Sequence, residues 1–324
     1  MSSTALVVLD HDRGALDEAS LQAIALASAL GAGSVHVALI GSDAEAAAAA
    51  LGIAGVDALW LVDHDSLSDF SPEAWGDATA ALARDIGAAV VIAIGTERGN
   101  EVLAHVAAGV DCAFISNVAT VDSTNPLSLT RVRWGGSLLE HINVDTSVGP
   151  MTVLSAAPFS FAAPAAAAAC AVQRFTPELR PEAARTRVKD RITLSSGITL
   201  QTAPVVVSGG RGVGSADGFA PLEQLADLLG GAVGCSRVVT NQGWRPHSDQ
   251  VGQTGKRVAP ELYIACGISG AIQHWIGMQA AQRVLAINLD ADAPMVAKAD
   301  YAVIGDLHEV IPAIVEELRN RRPS

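Results

Sequence analysis

Between Ala5 and Ile94 the chain alternates short, continuous apolar runs with amphipathic segments: Ala5–Leu9, Val35–Ile40, Ala58–Val62 and Ala88–Ile94 are separated by Asp17–Leu30, Asp43–Leu51 and Pro72–Ile86. A run that is apolar at every position needs cover on both faces, which a parallel sheet between two helical layers supplies. Gly31 after Leu30 reads as a left-handed helix stop, and Ser42 or Asp43 as the cap of the next helix. Glu97–Val110 continues the pattern as a helix. Beyond it Asn117–Val121, Leu127–Trp134, Leu138–Val144 and Met151–Ala156 read as short strands between turn residues, expected to form an antiparallel extension of the same domain.

At about 150 residues per domain, 324 residues make two domains. A second α/β series begins at Pro204: strand Val205–Ser208, a Gly-rich turn Gly209–Gly214, helix Leu222–Leu229, strand Leu262–Cys266, a helix from about Ala271, strands Val284–Leu289 and Ala302–Gly305, and helix Leu307–Arg319. Between the two series, residues 162–191 pass from an Ala/Pro stretch into Arg174, Arg180, Arg185, Arg187, Lys189 and Arg191, opposed only by Glu178, Glu182 and Asp190. Such a shift marks a linker or a segment lying on a partner. The expectation is two doubly wound α/β domains: residues 1–191, which contact a partner, and 204–324, joined by a linker over 192–203.

Half of the residues are apolar and 17% are charged, which excludes a disordered chain; aromatics at 4% leave the core to aliphatic side chains. A mean hydropathy of +0.33 leads us to expect apolar surface for a partner to cover. The net charge of −13 disfavours nucleic acid and anionic membranes, and the first 194 residues carry 22 of the 34 acidic side chains. Cys112, Cys170, Cys235 and Cys266 form no CxxC pair and have no histidine at metal-ligand spacing, so reduced thiols and no metal are expected. The start of the chain lacks export features and no run is long enough to span a bilayer, which places the protein in the cytoplasm as an expectation.

Three Gly-containing clusters carry the chemistry. Ser208–Gly214 follows an apolar strand, with glycines that let backbone approach an anion and Arg211 to supply charge; a plain mobile turn fits the same residues. Cys266–His274 passes from strand through a Gly-rich turn into a helix, which aims free amide groups at a phosphate, the better anion site of the two. Val251–Lys256 is either a binding loop or a solvated one. The remaining histidines, His11, His36, His64, His105, His141, His247 and His308, show no ligand spacing. No nucleophile elbow, paired-carboxylate set or HExxH helix accompanies them.

In order, VVVSGGRG (Val205–Gly212), GCSR (Gly234–Arg237), QVGQTGK (Gln250–Lys256), APELYIACGISGAIQHWIGM (Ala259–Met278), AINLD (Ala286–Asp290) and ADYAVIGDL (Ala299–Leu307) resemble the FAD domain of electron transfer flavoprotein α subunits. The match covers residues 204–320; over residues 1–160 it is one of layout. The resemblance implies that Arg211, Ser236, Gln253, Thr254, Ser269, Gly270, Ala271, Ile272, Gln273, His274, Asn288, Asp306 and Leu307 line FAD, with Arg237 beside the isoalloxazine. It further implies Thr254 facing flavin N5, His274 near the O2 edge as a charged or donating group, the Ser269 turn at the pyrophosphate, and Asn288, Asp306 and Leu307 at the adenosine end.

It also implies a heterodimer with a β subunit that completes the flavin pocket and holds AMP, and a carrier role. By the same resemblance, electrons would come from flavin dehydrogenases of the acyl-CoA type, as in fatty acid oxidation, and go on to a quinone oxidoreductase. The alternatives are a nucleotide-binding oxidoreductase with its own substrate site on a similar domain, or an interaction subunit that has lost FAD; the intact Arg211, Arg237, Thr254 and His274 oppose the latter. Two stretches depart from the family pattern: Thr240–Trp244 stands where Val-Asp-(Ala or Ser)-Gly-aromatic is common, and Ala156-Ala157-Pro158 stands where many members have a basic residue.

Overall fold

The computed structural model describes residues 3–49, 51, 55–147, 149–165, 170–180, 182–183, 185–189 and 199–321. The chain divides into two units, Met1–Ile192 and Thr193–Ser324.

In the first unit β1 (Thr4–Val8) leads through a small hairpin, β2 (His11–Asp12) and β3 (Ala15–Leu16), to α1 (Gln22–Ala29), β4 (Ser34–Ile40), α2 (Ala44–Ala49) and β5 (Ala58–Val62). The chain continues through α3 (Pro72–Asp85), β6 (Ala88–Ile94), α4 (Glu97–Val110), β7 (Phe114–Thr124), β8 (Leu127–Arg133), β9 (Leu138–Val144), β10 (Thr152–Ala156) and β11 (Val172–Phe175). Outside that hairpin, nine strands among the described residues form one sheet in the order β11-β5-β4-β1-β6-β10-β7-β8-β9, parallel as far as β7 and antiparallel over β8 and β9. Alternation along β1 sorts its side chains between two layers: Ala5, Val7 and Leu9 pack with Ile24 and Leu26 of α1, while Leu6 and Val8 pack with Trp75 and Leu82 of α3 and Leu103 of α4. Gly31 adopts φ +72° and the Ala32 amide reaches back to the Ala27 carbonyl, the left-handed stop that closes α1.

Two readings of the sequence are corrected here. Strand β10 is not part of the antiparallel extension. It lies between β6 and β7, parallel to both, with Leu154 opposite Ile92 and Ile115. All but its first residue are buried, the pattern of a central parallel strand. The segment read as a linker or partner-lying stretch supplies an edge strand: Val172–Phe175 pairs with Leu59–Val62. Its Gln173 and Arg174 are exposed, and that polarity hid the strand. Beyond it, Arg180 grips both carboxylate oxygens of Asp77 on α3 at 2.7 and 2.6 Å, and Ala183 is buried in the α3–α4 layer. Asp190, Arg191 and most of the expected linker lie outside the described residues.

The second unit runs β12 (Val205–Gly209), α5 (Ala220–Leu229), β13 (Ala232–Cys235), α6 (Arg237–Asn241), β14 (Leu262–Cys266), α7 (Ile272–Met278), β15 (Arg283–Asn288), α8 (Pro294–Lys298), β16 (Tyr301–Ile304) and α9 (Leu307–Arg321). Its five strands are all parallel, in the order β13-β12-β14-β15-β16. Val207, Ile264 and Ile287 face Leu222, Leu225, Ile311 and Val315 on one side; Val206, Ala265 and Ala286 face Met278 and Met295 on the other. From β12 the chain first moves outward to β13 and then crosses to β14, so strand order reverses between β12 and β14. Ligands of doubly wound sheets bind beyond the strand ends at such a reversal. Among the described residues no helix is long and apolar enough to cross a membrane.

Candidate functional site

The ends of β12 and β14 meet backbone to backbone. The Gly210 amide donates to the Cys266 carbonyl at 2.8 Å and the Gly212 amide to the Gly267 carbonyl at 3.1 Å. A Cβ at Gly210 would stand 2.3 Å from the Gly267 oxygen, and one at Gly267, whose φ is +62°, 2.7 Å from the Gly212 Cα. The glycines of the first cluster therefore serve the approach of two turns to each other, and Arg211 is what that turn presents outward. Beyond this junction opens a cleft of about 580 Å³ within the second unit, a size suited to a small ligand.

The third cluster is a tight, hydrogen-bonded turn. Val251 donates its amide to the Cys235 carbonyl, Lys256 to Gln250, and Gln253 to the Gln273 carbonyl of α7 at 2.7 Å. Gly252, at φ +147°, sits where a Cβ would come within 2.9 Å of the Gln273 oxygen. These bonds clamp the turn between the end of β13 and the start of α7, leaving Gln253 and Thr254 exposed on the cleft wall.

Two arginines and one carboxylate, Asp290, are the charged side chains of the cleft lining. Arg211 and Arg237 are exposed, and neither forms an ion pair with a described residue. Because α7 has only seven residues, its contribution to attracting an anion is small beside that of the two guanidinium groups.

His274 is built differently. It is 6% exposed, and burial pulls its pKa down to about 4, leaving the ring neutral at pH 7. Its Nε2 lies 2.8 Å from the hydroxyl of the fully buried Tyr263. Burial raises the Tyr263 pKa, so the phenol keeps its proton and shares one hydrogen bond with the imidazole. Beside that hydroxyl, a backbone hydrogen bond to Val251 acts on the ring and opposes the effect of burial. Of the two states expected for His274, charged or neutral donor, burial favours the neutral ring.

Arg211, Ser236, Arg237, Gln253, Thr254, Ser269, Ala271, Gln273, His274 and Asn288 all line this one cleft. Gly270, Ile272, Asp306 and Leu307 do not. Gly270 is buried at φ +86° against the Met295 backbone, and Ile272 is 62% exposed on the first turn of α7. Asp306 Oδ1 accepts the His308 amide at the start of α9, and Leu307 packs under the strand ends close to Gly267. The carboxamide of Asn288 is spent on the protein, donating to the Ile268 carbonyl and accepting the Asp290 amide, both at 3.1 Å, so it fixes the shape of that wall. Sequence reasoning missed Gln250, which is 1% exposed and lines the cleft, together with Val238, Asn241 and Asp290. Gln250 lies within the QVGQTGK block, so the block could have indicated it. Cys235 and Cys266 are buried with thiol pKa values pushed up to about 12, which removes them from nucleophilic chemistry.

These features define a doubly wound domain with a strand-end cleft: two guanidinium groups that form no ion pair with a described residue, a neutral buried imidazole and clamped turns around one volume. The comparisons with known proteins agree. The model of the electron transfer flavoprotein FAD-binding domain matches residues 199–279, and that of the electron transfer flavoprotein domain residues 5–179. The electron transfer flavoprotein α subunit of Mycobacterium leprae is 36% identical over 321 residues, covering 98% of this chain and 99% of that one. The α subunit of Pseudomonas aeruginosa is 36% identical over 95% of this chain and 98% of its own, and that of Thermoanaerobacterium thermosaccharolyticum 35% identical over 88% and 87%. The chain belongs to the electron transfer flavoprotein α-subunit family.

Proposed function

We propose that this chain is the FAD-carrying subunit of a cytoplasmic heterodimeric electron carrier. In this reading a β subunit holds AMP, flavin dehydrogenases of the acyl-CoA type are the donors and a quinone oxidoreductase is the acceptor. The observation that carries it is the convergence of Arg211, Arg237, Thr254 and His274 on one cleft inside the stretch matched by the FAD-binding model. When bound, FAD supplies one- and two-electron transfer. The chain's part is to hold it and set its electrostatics. Arg211 and Arg237 offer permanent positive charge to phosphates and to electron density gained on reduction, His274 offers a neutral imidazole, and the clamped Gln253–Thr254 turn offers a hydroxyl.

The partner reading draws on exposed apolar surface as well as on the family. Trp134 (78% exposed), Leu139 (65%), Leu289 (73%) and Tyr301 (63%) are large side chains that a monomer gains nothing by presenting to water.

The test is an absorption spectrum of the chain copurified with its β subunit. Flavin bands that an acyl-CoA dehydrogenase plus substrate bleaches, and that Arg237→Ala weakens through roughly tenfold lower FAD affinity, about 1.4 kcal/mol, support the proposal. A complex free of flavin, or one whose flavin the dehydrogenase leaves oxidised, contradicts it.

A further inference from the structure

Thr240 is the first residue of the stretch that departs from the family pattern, standing where valine is common, and its hydroxyl is the start of a hydrogen-bonded chain. It sits on α6, where its single hydroxyl proton has two acceptors, the Arg237 carbonyl at 3.0 Å and, at the shorter 2.8 Å, Oε1 of Gln250. Gln250 is 1% exposed, so its carboxamide has no solvent to fall back on. The other end of that carboxamide, Nε2, donates to the Thr254 hydroxyl oxygen at 3.0 Å. Thr254 is exposed on the cleft wall. A hydroxyl that accepts from Gln250 keeps its own proton free, and the open direction is the cleft.

We propose that Thr240 is a positioning residue for the cleft: by donating to Gln250 Oε1 it fixes the carboxamide so that the Thr254 hydroxyl is left as a donor toward the bound cofactor. The physical reason is the shortage of donors around Gln250. A buried carbonyl oxygen left unpaired costs roughly 1–3 kcal/mol. With valine at 240, the Thr254 O–H is a donor already within reach of the buried carboxamide. The amide then turns, Oε1 takes the Thr254 proton, and the cleft loses a donor although no residue in contact with the ligand has changed. The chain from Thr240 to Thr254 is a property of these side chains alone; its effect on a cofactor rests on the proposal that the cleft holds FAD.

The test uses the full-length, ¹⁵N-labelled chain without added cofactor, reading the side-chain NH₂ signals of Gln250, assigned by their loss in Gln250→Met. Both Thr240→Val and Thr254→Val are expected to shift these signals, and Thr240→Ser, which keeps the hydroxyl, to leave them in place. FAD is then added and its midpoint potential measured. Thr240→Val should lower the potential in the same direction as Thr254→Val, because each removes a donor that favours added electron density. In the double variant the second substitution should add nothing, the signature of one shared pathway. Unmoved Gln250 signals in Thr240→Val overturn the proposal, as do additive shifts in the double variant. FAD that fails to bind refutes the cofactor reading, and the Gln250 signals still decide the hydrogen-bonded chain.

Discussion

Each unit has a doubly wound sheet with a reversal of strand order, β1/β6 in the first and β12/β14 in the second, yet the two reversals are finished in opposite ways. In the first, the space beyond the strand ends is filled by the chain itself. Arg98, on the first turn of α4, stacks on Phe70 at 4.2 Å and Trp75 at 5.4 Å and approaches Asp10 Oδ1 at 3.2 Å. What remains are two voids of about 30 and 20 Å³, room for a water molecule each. In the second, glycines occupy the strand ends and the arginines stand at the rim, leaving about 580 Å³. The same topology thus yields a plugged crevice or a cleft according to whether large side chains or glycines follow the strands. A reversal of strand order is a place where a site can be built, and the residues beyond it decide whether one is.

The largest expected effect comes from closing the open reversal. Gly210→Ala would push a methyl group against the Gly267 carbonyl, 2.3 Å away, with backbone on both sides and nothing flexible to yield. We expect the second unit to lose about 3 kcal/mol and FAD binding to fall with it, as read by denaturant unfolding and cofactor titration. A variant of wild-type stability would show that the β12–β14 junction is looser than the contacts imply.

Unplugging the first reversal should cost less and leave the cofactor alone. Arg98→Ala strips the stacked cation from Phe70 and Trp75 and leaves Asp10 without its counter-charge. Allowing for the partial exposure of Arg98, the loss should be about 2 kcal/mol, with FAD affinity unchanged. A parallel loss of FAD affinity would break the division of labour between the two reversals.

The smallest effect is a difference in pH dependence. Burial raises Asp10 from 3.8 to about 6, against the opposing pull of Arg98, so between those values the folded first unit holds a proton that the unfolded chain releases. Through Asp10 the first unit gains stability as pH falls through that window. Burial lowers His274 from 6.5 to about 4, so there the unfolded chain holds the proton and the second unit loses stability as pH falls from 6.5 toward 4. Each slope is on the order of 1 kcal/mol per pH unit. Amide exchange in Ala5–Val8 and in Tyr263–Cys266, each compared with Asp10→Asn and His274→Gln, should show slopes of opposite sign. Slopes of one sign would remove the contrast.

What the sequence made legible follows the same physics. The parallel strands of both units were readable because burial on two faces leaves an unbroken apolar run, as in Val37–Ile40 and Val205–Val207. Strand β10 was visible, but apolar periodicity says nothing of which neighbours it joins. Strand β11 was hidden because an edge strand can be as polar as Gln173-Arg174. The cleft was legible as ordered Gly-rich blocks. The roles of Gln250 and Asn288 were not, because a buried carboxamide is defined by what lies across the fold from it, and Thr240, Thr254 and Ile268 meet these side chains only in three dimensions.

FAD is proposed to enter the reversal finished with glycines and not the one plugged by Arg98. Hydrogen–deuterium exchange of the full chain, with and without FAD, tests it directly. Protection confined to Arg211–Val213, Ser236–Asn241, Gln250–Thr254 and Ser269–His274 is the predicted result. Protection at Asp10–Arg13 and Gly95–Gly99, with those second-unit segments unchanged, would contradict it.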